Sequence, residues 1–182
     1  MTENAFETFI FENGIRVIHK QVNTLVSHCG FILNTGTRDE KEGEEGLAHL
    51  IEHVIFKGTK KRKAFHILSR LEDVGGELNA YTAKEETAVY ASFLNQYYER
   101  SIELLSDIIF NSVFPAKEIE KEKEVVVDEI NSYLDTPSEQ INDDFEELVF
   151  DGHPLGKNIL GTPERIRGYQ RNDILNFIIK NY

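Results

Sequence analysis

Gly46 to Phe56 read Gly-Leu-Ala-His-Leu-Ile-Glu-His-Val-Ile-Phe, an apolar run interrupted by His49, Glu52 and His53. On an α-helix, positions i, i+3 and i+4 share one face. The three polar residues therefore form a single stripe, and Leu47, Leu50, Ile51, Val54 and Ile55 cover the rest. A helix that is apolar nearly all round is a buried helix. Two imidazoles and a carboxylate on a buried stripe need partners, because unpaired buried polar groups are costly. A zinc ion bound by both histidines supplies one, and leaves Glu52 free to move protons.

Hydrolytic zinc sites keep three protein ligands and one open position. The HxxEH order inverts the better-known HExxH of zinc proteases, with the same physical logic. Glu52, next to His53 in sequence, reaches the open position without binding the metal and is read as the general base. The third ligand must come from another element. Glu118 to Leu134 has an apolar stripe, Ile119, Val126, Ile130 and Tyr133, at helical spacing. Glu122 and Glu129 lie seven apart on nearly one meridian, together with Val125, Val126 and Tyr133. Acids on an inward stripe are rare unless paired or metal-bound. The solvent face is assigned Glu120, Lys121, Lys123 and Glu124. Glu129 is thus expected as third ligand, and Glu122 as an acid that orients a ligand or the water.

With these residues in view, the chain resembles the M16 metallopeptidases of the pitrilysin, insulinase and processing-peptidase β type. The resemblance rests on His49-Leu50-Ile51-Glu52-His53 followed by Val54-Ile55-Phe56-Lys57-Gly58-Thr59. It extends through Gly75-Gly76-Glu77-Leu78-Asn79-Ala80-Tyr81-Thr82, Glu86 to Tyr90, the Glu122–Glu129 segment, and His153-Pro154-Leu155-Gly156 with Ile159-Leu160-Gly161-Thr162. It implies one zinc per chain on His49, His53 and Glu129, Glu52 as base, and Glu122 as supporting acid. It also implies that a peptide substrate adds as a strand at Asn79 and Ala80, a mode that needs an open sheet edge. Residues 1–182 then form the N-terminal catalytic domain of a zinc metalloendopeptidase. The second domain that closes over the cleft in this family is absent from the chain, since neither an internal repeat nor a second HxxEH occurs. The implied partner is such a domain or a second chain, in a homodimer or heterodimer. The rival reading is an assembly subunit with a vestigial or structural zinc site; intact Glu52 and Glu129 disfavour it.

Length and charge narrow the field. One hundred and eighty-two residues make one domain of ordinary size. A net charge of −12 argues against a nucleic-acid partner, since phosphate binding relies on basic patches. Cys29 is the only cysteine, so no intrachain disulfide and no CxxC zinc site can form. Met1 to Glu7 lack a basic n-region and an apolar h-region, and no apolar run approaches a membrane span. The expected location is therefore the cytoplasm, without membrane attachment.

The chain order reads as strands followed by helices. Asn13-Gly14 predicts a type I′ hairpin between Phe6–Phe11 and Ile15–Lys20. Strands are expected at Val26–Leu33, Glu77–Thr82 and Thr87–Leu94. The HxxEH helix is expected to stop at Gly58-Thr59, and the next helix, from Phe65, at Gly75-Gly76. Tyr97–Ile109 has an apolar face of Ile102, Leu105 and Ile109. Pro137 opens a helix to about Val149, Thr162-Pro163 is an N-cap with proline at N1, and Asn172–Tyr182 is a last helix. The fold class is α+β, a mostly antiparallel sheet packed by helices. His19, His28, His66 and His153 lack partners at ligand spacing and are read as structural.

Overall fold

The computed structural model describes residues 6–182; residues 1–5, which entered the reading of the N-terminus, lie outside it. Strands β1 (Glu7–Ile10) and β2 (Arg16–His19) form a separate antiparallel hairpin. Its turn is not type I′, which needs positive φ at both central residues. Gly14 has φ of +88°, but Asn13 does not have positive φ. Instead Gly14 N–H donates to Phe11 O, Phe11 N–H donates to Ile15 O, and Asn13 Oδ1 accepts from Ile15 N–H. A three-residue loop with glycine in the left-handed position results.

The main sheet has the order β3-β5-β4, all antiparallel, with β3 Val26–Leu33, β4 Glu77–Thr82 and β5 Thr87–Leu94. These three strands have the bounds expected from the sequence. Cys29, Phe31, Leu78, Ala80, Val89, Ala91 and Phe93 turn inward to the core. His28, Ile32, Tyr81 and Tyr90 stand on the other face. The helices α1 (Leu47–Val54), α2 (Ala64–Glu72) and α3 (Tyr98–Asn111) pack on the inner face. Then come α4 (Ala116–Leu134), α5 (Pro137–Val149), α6 (Pro163–Gly168) and α7 (Arg171–Asn181). The buried face of α3 is Ser101, Leu104, Leu105 and Ile108; Ile102 and Ile109 are only half-buried, so this face is turned slightly from the expected one.

Eight residues are too few for a stable isolated helix, so packing must hold α1 in place. Leu47, Leu50, Ile51 and Val54 are fully buried, each contributing about 1.5–3 kcal/mol through lost apolar exposure. The start of α1 is built by a residue from outside the helix. Gly46 sits at φ +81° against Leu160 O, where an added Cβ would come within 2.5 Å. With no side chain at that cap, the buried Glu40 supplies the acceptors: Oε2 takes Gly46 N–H (3.1 Å) and Oε1 takes Ala48 N–H (2.9 Å). These are helix-start N–H groups that otherwise lack partners.

Burial pushes the Glu40 carboxyl up to about 8, against the pull of the two N–H groups. A folded pKa above the unfolded value means a stability contribution complete below the unfolded pKa and lost as pH rises through about 8. Thermal midpoints at pH 5.5 and 8.5 are therefore expected to fall more steeply with pH in the native chain than in Glu40→Gln. Equal slopes would remove Glu40 from the account.

Helix α1 ends at Val54, short of the Gly58-Thr59 stop. Bridges from Gly58 to Lys63 and from Thr59 to Ser112 pull the chain out of the helix. Asp107, buried on α3, anchors this turn through Thr59 Oγ1 (2.7 Å) and the Arg62 guanidinium (2.5 Å). The solvent-face assignment of Lys123 is overturned, because it is only 2% exposed. Its stem runs under α6, and its ammonium donates to Arg167 O near the end of that helix and to Glu120 Oε1. A cation is favourable at a helix C-terminus. Val125, read on the inward meridian, is half-exposed.

Candidate metal centre

His49 and His53 share one stripe of α1, with ring centroids 4.7 Å apart. Helix α4 packs across α1 and brings Glu129 to them. Glu129 Oε2 lies 3.2 Å from His53 Nε2 and 3.7 Å from His49 Nε2. The three residues offer ligand atoms within 4.8 Å of one another, and among the described residues no other such group of three or more occurs. Zinc at about 2.0–2.1 Å from tetrahedral ligands spaces those ligands about 3.3 Å apart, so the donor set fits.

The surroundings suit metal ligation as well. His49 is 6% exposed, and its Nδ1 has no hydrogen-bond partner among the described residues. A buried histidine of this kind is not a satisfied core residue. Burial, helped by the neighbouring His53, pushes His49 down to about 4, so at neutral pH the ring is uncharged and its lone pair is available. Glu129 is half-exposed, which leaves the cluster open on one side.

Glu52 lies on the same stripe, half-buried, between the cluster and the end of β4. Burial raises its carboxyl above the usual range, partly offset by Thr82. Thr82 Oγ1 lies beside it without an aligned hydrogen bond. Glu122 faces the other side of His53, with Oε2 3.7 Å from Nδ1. Its Oε1 is held by Lys57 Nζ at 2.8 Å.

Asn79 and Ala80 sit mid-strand in β4, paired with Tyr90 and Val89 of β5, and β4 is an edge of the sheet. Asn79 Oδ1 accepts from Ala80 N–H (2.8 Å), so the side chain satisfies a backbone donor of its own strand. The same strand packs on α1, which brings the edge beside the cluster. Among the histidines read as structural, His28 Nδ1 bonds Ser92 Oγ and His153 Nδ1 accepts from Leu155 N–H. Two neighbours of the site escaped the sequence. Lys57 follows the helix with no periodic signal. Glu40 sits in a charged loop where a buried acid looks like a solvated one.

Comparison with known proteins gives the class. Residues 16–163 match the model for insulinase (peptidase family M16). A protein described as an uncharacterized zinc protease from Rickettsia bellii is 37% identical over 183 residues, spanning 100% of this chain and 44% of that relative. The mitochondrial-processing peptidase subunit beta of Bos taurus is 35% identical, over 94% of this chain and 35% of its own length. The crystal structure of a protease from Helicobacter pylori superposes with a TM-score of 0.90 at 26% identity, covering 96% of this chain and 43% of that one. The chain belongs to peptidase family M16, the insulinase family, whose members include zinc proteases. It spans less than half the length of these relatives. No helix is long and apolar enough to cross a membrane among the described residues.

Proposed function

We propose that this chain is the catalytic part of a zinc metalloendopeptidase that cleaves peptides or unfolded protein segments. The observation that carries the reading is the convergence of His49, His53 and Glu129 from two helices onto one point. These three would hold a single zinc ion, which supplies Lewis-acid chemistry toward water and the peptide carbonyl. Glu52 takes a proton from the attacking water and delivers it to the leaving amine. Its raised carboxyl moves toward the working pH, as a general base requires. Glu122 orients His53 through Nδ1.

The substrate backbone pairs with the free edge of β4 around Asn79 and Ala80, and for this Asn79 Oδ1 must release the Ala80 N–H. Main-chain pairing tolerates many sequences, which suits an endopeptidase of unfolded segments. A second M16 domain or partner chain completes the cleft. Apolar side chains left exposed on the hairpin (Phe9, Ile10, Ile18) and on α5 (Ile141, Phe145, Leu148) support such a partner. In the complete enzyme, a chelator is expected to abolish cleavage of an unfolded test protein, and added zinc to restore it. Cleavage that persists in metal-free protein would refute the reading.

A further inference from the structure

His53 has a different neighbour at each ring nitrogen. Nε2 points to Glu129 and the ligand cluster; Nδ1 points to Glu122. Glu122 is mostly buried and is not one of the three residues whose ligand atoms converge. Its other oxygen is taken by Lys57, at 2.8 Å. The Lys57 backbone is itself fixed. Its N–H bonds Val54 O, and the residues after it enter the bridges of Gly58 and Thr59, which Asp107 anchors. The ammonium therefore approaches Glu122 from a rigid turn rather than from a mobile loop. Lys57 is only 26% exposed and Glu122 only 13%, so water screens the pair weakly.

We propose that Lys57 is a positioning residue for the metal centre. It clamps Glu122 so that one oxygen faces His53 Nδ1. That keeps a carboxylate 3.7 Å from Nδ1 while Nε2 faces the cluster. Without the ammonium, Glu122 is left as an under-compensated, mostly buried charge, free to rotate away from His53. The proposal rests on the reading of this cluster as a zinc site.

The test is zinc affinity, measured by competition with a chromophoric chelator. The proteins compared are the native chain, Lys57→Met, Glu122→Gln, the double variant and Lys57→Arg. Lys57→Met is expected to weaken zinc binding about 10-fold, the low end for partners that orient a ligand. The double variant should bind no more weakly than Glu122→Gln alone, because Lys57 acts only through Glu122. Lys57→Arg should recover most of the loss. Metal-free melting curves confirm that each variant is folded. Native affinity in Lys57→Met would overturn the proposal, as would losses that multiply in the double variant. If the native chain binds no zinc, the reading of the site itself fails and this proposal falls with it.

Discussion

Glu52→Gln is expected to keep its zinc and lose proteolysis. Glutamine has nearly the same size and shape, so the packing of α1 survives and the three ligands are untouched. What disappears is a group able to accept a proton. General-base catalysis is typically worth about 10^2–10^4-fold in rate, and peptide-bond cleavage in the complete enzyme should fall by at least that range. The raised carboxyl of Glu52 bears on the size of the effect. A base with a pKa nearer the working pH takes the proton with more driving force, so its loss weighs more. Native-rate cleavage by the variant would show that the base lies elsewhere.

Glu129→Gln is expected to lose the metal. The substitution removes the one carboxylate of the ligand set and leaves two imidazoles on a single helix. Partners that merely orient ligands cost about 10–100-fold in metal affinity, and removal of a ligand itself should exceed that. Since Glu129 is half-exposed, the metal-free fold should tolerate the change. Zinc should then raise the thermal midpoint of the native chain and not that of the variant. Binding to the folded state alone stabilises by about 2.7 kcal/mol at a hundred times the dissociation constant. The same linkage tests whether α1 and α4 are joined by the ion, because each supplies part of the ligand set.

Much of this was legible in the residues, for reasons that differ by element. Strands β3 and β4 alternate cleanly because only one sheet face is covered, and period-two burial leaves its trace in the sequence; β5 alternates only past its first three residues, all buried. The polar stripe of α1 stands out because the rest of that helix is apolar. Glu122 and Glu129 stand out because their neighbours Val126 and Ile130 are buried. What stayed hidden depends on distant contacts. Lys123 belongs to a charged run, and only the arrival of α6 buries it. Phe56 extends the apolar run of α1, yet the bridges at Gly58 and Thr59 end that helix earlier. Glu40 caps α1 from six residues upstream, beyond the reach of local cap signatures. The hairpin turn has the right residues, Asn13 and Gly14, in a different loop, because the same pair also serves a three-residue connection.

The most direct test of the central claim is elemental analysis of zinc per chain in the purified native protein and in Glu129→Gln, prepared side by side. The account predicts about one zinc in the native chain and far less in the variant, since all three ligands come from within this chain. Equal zinc in both would contradict the assignment of Glu129, and none in the native chain would contradict a zinc site formed by His49, His53 and Glu129 alone.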